Sequence, residues 1–153
     1  MTPRWLDDAE QAAWRHFLDA QIRLNDRLDR ELRAAHDLGL DDYEVLVHLS
    51  EQPDLRLRMS DLADRLVHSR SRLTYRVDRM VQAGYLTREQ CPDDKRGTFA
   101  VITPLGLELL AIAAPTHVDG VRRHLTDQMS RDEFLQLGAV LGRVADELRS
   151  EGD

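Results

Sequence analysis

Apolar residues recur with a helical period over the first part of the chain. Between Asp7 and about Ala35 they fall three or four positions apart, from Trp14 to Leu32. This spacing predicts a long amphipathic helix. Gly39 follows closely and is a suitable stop signal.

The next segment alternates between short predicted elements. Asp41, with Glu44 three residues later, has the pattern of a capping box and predicts the start of a second helix. Residues 55–59 alternate apolar and basic side chains, as a short edge strand does. Ser60 is the expected cap of a brief helix over 61–66.

A longer helix and a hairpin follow. The pattern predicts a helix over 69–83 that ends at Gly84, because glycine commonly follows the last helical residue. Residues 85–89 and 98–102 have the composition of two short strands. We expect the polar residues 91–97 to form a long loop at the tip of the hairpin.

The last third of the chain is predicted to be helical. Pro104 suits the first turn of a helix, and Pro115 is expected to kink or break it. Ser130 and Glu133 form a second capping-box pattern, which opens a final helix to about Arg149. Its apolar positions are spaced like a coiled-coil seam and predict a dimerization surface: Phe134, Leu137, Leu141, Val144 and Leu148.

The helix over 69–83 has two different faces. Leu73, Val77 and Met80 share one side and must be core. The opposite side carries long hydrogen-bond donors that suit the major groove of DNA, where arginine pairs with guanine and hydroxyls reach phosphates. The candidate DNA-contacting residues on this helix are Ser69, Arg70, Ser71, Arg72, Thr74, Tyr75, Arg76 and Arg79.

Charge is distributed unevenly along the chain. The formal net charge is −7, yet residues 56–96 hold ten Arg or Lys against six Asp or Glu. A basic middle between acidic ends is compatible with DNA, because phosphate binding depends on the local field. At the hairpin tip, Lys95 and Arg96 can enter a minor groove, and Asp94 can orient the Arg96 guanidinium by a charge-assisted hydrogen bond.

Several motifs together resemble the MarR family of winged helix-turn-helix regulators. They are Leu62–Leu66, Leu73–Leu86, the wing string Asp93–Gly97 and the following Val101–Gly106. The resemblance implies a mainly α fold with a small β-hairpin wing: a winged helix-turn-helix region over 40–103 and dimerization helices over 5–36 and 104–149, in a single domain spanning 1–153.

The resemblance also implies a function. We expect a homodimeric regulator, a repressor, that binds a pseudo-palindromic operator with a recognition helix in the major groove and a wing in the minor groove. A small aromatic or phenolic effector would release it from DNA. The candidate effector-binding residues are Trp14, Arg23, Asp42, Tyr43 and His48.

Two alternatives remain open at this point: a helical module that binds protein, and a redox-sensing regulator that uses Cys91, the single cysteine. A protein-binding wing would more often present aromatic anchors. The histidines and the cysteine lack metal-ligand spacing, and no phosphate-binding glycine loop is found, so we predict neither cofactor nor enzymatic activity. Asp7, Asp8 and Glu10 argue against a secretory signal, and we expect a cytoplasmic location.

Overall fold

A computed structural model describes residues 2–151 of the chain. Its helices are α1 Asp8–His36, α2 Leu40–Ser50, α3 Met59–Leu66, α4 Arg70–Gln82, α5 Pro104–His124 and α6 Arg131–Ser150, with a short 3-10 turn at Thr126–Gln128. The strands are β1 Arg56–Arg58, β2 Leu86–Cys91 and β3 Asp94–Ile102. The mainly helical fold with a small antiparallel sheet is the predicted fold class.

The observed start of each helix can be compared with the cap that the sequence predicted. The Ser130–Glu133 capping box at α6 is confirmed, with both reciprocal hydrogen bonds formed. The other two assignments were wrong. α2 begins after Gly39, which places Asp41 inside its first turn, and α3 begins after Arg58 without a side-chain cap. Nothing in the local residue pattern indicates that these two helices start one or two residues early.

The sheet has the order β1-β3-β2, so β3 pairs with an antiparallel neighbour on each side. The edge strand β1 was predicted. The long polar loop over 91–97 was not correct, because Cys91 pairs with Asp94 and only two residues separate β2 from β3. The strands of the wing are therefore longer than its polar composition suggested, although their register shifts between Gln90 and Cys91.

One hydrophobic core lies within the compact unit formed by residues 1–117. It combines the buried faces of α2, α3 and α4 with the sheet, through side chains such as Leu46, Leu62 and Val77. Gly84 adopts φ +86° after α4, as the sequence predicted. At the start of α5, a Cβ on Gly106 would lie 2.4 Å from the Tyr85 carbonyl oxygen, so only glycine fits there.

The second compact unit, residues 118–153, contains α6 and the end of α5. The predicted break at Pro115 does not occur, since α5 continues through it to His124, and the alternative of a kink stays a prediction. None of the α6 residues, all of which the structure describes, is buried. Along the predicted seam, Phe134 and Leu137 are half-buried, and exposure then ranges from 37% of Leu141 to 66% of Leu148.

The first half of α1 also presents apolar side chains to solvent. Trp14 is 49% exposed and stacks on Phe17, with ring centroids 6.0 Å apart. Only Leu28 and Leu32 of this helix are buried. Over the part of the chain that the structure describes, no helix has the length and apolarity needed to span a membrane.

Candidate nucleic-acid interface

Helix α4 is held by its apolar side and presents its polar side outward. Ser69 caps its start by accepting a hydrogen bond from the backbone N–H of Arg72. Leu73, Val77 and Met80 are buried. This arrangement agrees with the two faces that the helical projection predicted.

Most of the predicted DNA-contacting residues of α4 are exposed: Ser69, Arg70, Ser71, Arg72, Thr74, Tyr75 and Arg79. Tyr75 is 67% exposed, and the Arg79 guanidinium carbon lies 5.9 Å from the centroid of its ring. These side chains are available to a partner that covers the outer face of the helix. Their contacts with DNA stay a prediction.

Arg76 differs from the prediction. Its side chain is only 18% exposed and forms ion pairs with two acidic residues in the first turn of α2. Nη2 donates to Asp41 at 2.9 Å, and Nη1 donates to Asp42. Arg76 is therefore an internal clamp between α4 and α2, and not the free outward arginine that the helical projection predicted.

Asp41 is shared between two arginines. Arg72, which is 56% exposed, also donates to Asp41, at 3.0 Å. Behind them, Asp29 of α1 accepts from the Leu40 backbone N–H and from Arg33, and the Arg33 hydrogen bond holds the pKa of Asp29 below its usual value. The start of α2 is thus tied to α1 on one side and to α4 on the other.

The wing tip is organised by Asp94, but not as predicted. Its Oδ1 accepts a hydrogen bond from the backbone N–H of Arg96 at 3.0 Å, and no ion pair with the Arg96 guanidinium forms among the described residues. The carboxylate therefore orients the backbone of the wing. Lys95 and Arg96 are both exposed.

Two arginines near the wing were not among the sequence candidates. Arg58 of β1 and Arg88 of β2 line a hollow of about 370 Å³ together with Arg70 and Arg96. Arg88 lies along α4, with its Nη2 3.0 Å from Asp78 Oδ1. For Arg58, the alternating basic pattern of residues 55–59 was the available signal, although by itself that pattern predicts only a strand.

The five candidate effector-binding residues do not come together. Tyr43 and His48 line one cleft, with Arg65 and His117, and the Tyr43 and His117 rings lie 4.5 Å apart between centroids. Arg23 forms an ion pair with Asp19 on the exposed surface of α1. Asp42 binds Arg76 instead, and Trp14 is not among the residues that line the cleft.

Burial shifts the pKa values of two side chains in this cleft. Burial raises the pKa of Tyr43 and lowers the pKa of His117, so both side chains are neutral at pH 7. The Nδ1 atoms of His48 and His117 are buried without a hydrogen-bond partner in the described structure.

Cys91 is 2% exposed and packs within the wing. A Cβ on Gly97 would lie 3.1 Å from its sulfur atom. A sensing thiol has to be reached by its oxidant, so the burial of Cys91 argues against the redox alternative.

The known proteins to which this chain is similar are transcriptional regulators. A family model described as "MarR family" matches residues 36–97. The HTH-type transcriptional regulator MhqR of Bacillus subtilis is 28% identical over 124 residues, which are 79% of this chain and 81% of that protein.

Solved structures extend the similarity over almost the whole chain. AbsC, a MarR family transcriptional regulator of Streptomyces coelicolor, is 42% identical with a TM-score of 0.90, and the match covers 97% of this chain and 99% of AbsC. Sco3205, another MarR family regulator of that organism, was solved in complex with DNA. It is also 42% identical with a TM-score of 0.90, covering 95% of this chain and 92% of its own.

Proposed function

The chain belongs to the MarR family of transcriptional regulators, and we propose that it acts as a homodimeric repressor on a pseudo-palindromic operator in double-stranded DNA. The observation that carries the proposal is the exposed outer face of α4 beside an arginine-rich wing. Sco3205, which shares the fold throughout, was crystallised with DNA. Such a function needs no catalytic residue and is exercised in the cytoplasm.

Helix α4 is the proposed recognition helix in the major groove. Ser71, Arg72 and Tyr75 are exposed side chains that can reach base edges and phosphates. Arg76 has a different role in this proposal: its ion pairs with α2 fix the position of α4 against the core. The wing would place Lys95 and Arg96 in the neighbouring minor groove.

A homodimer is proposed because two separate apolar surfaces are exposed. One lies on α6 and includes Leu141, Val144 and Leu148; the other lies on the first half of α1 and includes Trp14 and Phe17. Gly138 and Gly142 of α6 have nothing within 4 Å of an added Cβ, which leaves room for another helix. Two-fold symmetry would present two recognition helices to two half-sites.

The cleft beside Tyr43 is the proposed effector site. It offers two neutral aromatic rings, from Tyr43 and His117, and one cation, from Arg65, and it also contains the carboxyl group of Glu44, whose pKa is raised by burial. This combination suits a small aromatic acid or phenol, whose ring can stack while its oxygen meets the guanidinium. Benzoate or phenol should weaken DNA binding by the wild-type protein, and His117→Ala should remove that response.

The experiment that tests DNA binding compares Arg72→Ala with Arg30→Ala. Both substitutions remove an exposed arginine that forms an ion pair with an aspartate. Only Arg72 lies on α4. Binding to fluorescent duplex DNA is measured by anisotropy at several KCl concentrations. We expect Arg72→Ala to weaken binding to an operator fragment by about 1–3 kcal/mol and Arg30→Ala to have no effect.

The competing function, a helical module that binds protein, makes the opposite prediction. If the wild-type protein binds no duplex DNA in 50 mM KCl, or if Arg72→Ala binds as the wild type does, the recognition-helix proposal is wrong. An operator fragment can be selected from random duplexes by repeated capture.

A further inference from the structure

We propose that Arg58, Arg70 and Arg88 form one binding site for a phosphate group of the DNA backbone, located between the recognition helix and the wing, beside Arg96, which the wing presents to the minor groove. These four residues line the hollow of about 370 Å³, which is called the arginine hollow from here on. The inference rests on the proposed function and deepens it, because it adds Arg58 and Arg88 to the DNA-contacting residues and specifies what they bind.

Charge makes the arginine hollow a site for an anion. Its lining has four guanidinium groups and one carboxylate, that of Asp94. Among the residues that the structure describes, Arg58, Arg70 and Arg96 have no carboxylate within 4.0 Å; Arg88 alone pairs with an acid, Asp78. Like charges gathered around one cavity repel each other, and a bound anion relieves that repulsion.

The remaining groups of the hollow favour a phosphate oxygen. Ser60, Thr74 and Thr98 contribute hydroxyl groups to the lining. Met59 and Ser60 form the first turn of α3, whose start has no side-chain cap. The N–H groups of that turn have no side-chain acceptor from a cap, and the positive end of the helix dipole favours an anion.

Two of the four arginines, Arg58 and Arg88, lie on strands outside the recognition helix, and neighbouring groups hold them in place. Arg58 lies over the Phe99 ring, with its guanidinium carbon 5.6 Å from the centroid. The Arg88 side chain is 31% exposed and is held beside α4 by Asp78 and by the Thr74 carbonyl oxygen, 3.5 Å from Nη2. Both groups are thus partly ordered before DNA arrives, which lowers the entropy lost on binding.

The source of the phosphate follows from the position of the hollow. It opens between Arg70, at the start of α4, and Arg96, at the wing tip, where a duplex that contacted both elements would pass its backbone. A site for DNA backbone phosphate contributes equally to all sequences and increases salt dependence. A site for free phosphate would instead stabilise the protein without DNA.

The test uses the full chain and a 24-base-pair duplex of random sequence. Arg58→Gln and Arg88→Gln are compared with Arg30→Gln, a control on α1 whose side chain is 74% exposed. Affinity is measured between 50 and 200 mM KCl. We expect each hollow variant to weaken binding roughly tenfold at 100 mM KCl and to reduce the salt slope by about one for each phosphate that is no longer bound. The control should match the wild type.

Further measurements separate the possible outcomes. Arg58→Lys and Arg88→Lys keep the charge and should keep the wild-type salt slope, so a loss of slope that appears only in the Gln variants is assigned to the removed charge. Unchanged affinity and slope in the folded Gln variants, while Arg72→Ala still weakens binding, would refute the hollow alone. If the wild type binds no DNA, the proposed function fails as well.

Thermal melting of the protein tests whether the arginine hollow binds free inorganic phosphate. Inorganic phosphate and KCl are compared at equal ionic strength, and we expect the wild type and the Gln variants to respond alike. If phosphate stabilises only the wild type while DNA affinity is the same in all variants, the hollow is a site for a free anion and the proposal is wrong.

Discussion

Replacing Arg76 with methionine should destabilise the protein although the residue lies on a helix that faces solvent. The substitution keeps the length of the side chain and removes the guanidinium that Asp41 and Asp42 share. The side chains of Arg76 and Asp42 are 18% and 20% exposed, so this pair lies between the surface and the buried limit. The substitution should therefore lower the free energy of unfolding, independently of any effect on DNA binding.

The magnitude can be bracketed. Exposed ion pairs contribute about 0.2–1 kcal/mol, whereas removing one partner of a buried pair costs about 3–5 kcal/mol. Asp42 would keep most of its burial and lose its partner, but Asp41 would keep Arg72. We therefore expect a decrease of about 2 kcal/mol in the free energy of unfolding, or about 4–8 °C in Tm for a chain of this size.

Urea denaturation followed by circular dichroism measures this change, at one protein concentration because dimerization would stabilise the folded state. Arg30→Met is the matched control, since its ion pair with Asp26 is exposed, and it should change stability by less than about 0.5 kcal/mol. Asp42→Asn completes a double-mutant cycle with Arg76→Met. A loss below about 0.5 kcal/mol for Arg76→Met, with no coupling to Asp42, would refute the clamp.

Three further outcomes are expected. Val67 has φ +53° and is 89% exposed in the turn before α4, so Val67→Asn should stabilise the protein by about 0.5–1 kcal/mol in urea; no gain would contradict backbone strain there. Burial lowers the pKa of His117 and of His68, so the unfolded chain binds more protons below about pH 6.5 and stability should fall from pH 7.5 to 5.5. His117→Gln should reduce this fall, and an unchanged pH dependence would exclude His117 as its source. Leu141→Glu should convert a dimer to a monomer in sedimentation and abolish operator binding; a stable wild-type monomer that binds the operator tightly would overturn the dimer proposal.

The sequence predicted features whose causes are local. The capping box of Ser130 and Glu133 was correct because both hydrogen bonds join residues three positions apart. The end of α4 at Gly84 and its buried face were correct for the same reason, since one residue's backbone freedom and the helical period decide them.

Features that depend on distant contacts could not be predicted. Asp41 looks like a helix cap in the sequence, but its carboxylate binds arginines 31 and 35 residues away. Arg58 and Arg88 lie on different strands and reach the same hollow only when both pack against β3. A helical projection gives the direction of Arg76 but contains no information about which acids the fold brings to it.

The acidic pair at the start of α2 has a consequence for how the protein is distributed in a cell. Asp41 and Asp42 partly neutralise Arg72 and Arg76, which lowers the positive potential of the face that would meet DNA. A chromosome offers about 10⁶–10⁹ competing sites to any regulator, and attraction to all of them is mainly electrostatic. By weakening that general attraction, the two aspartates would leave a larger fraction of the protein free to occupy a specific site.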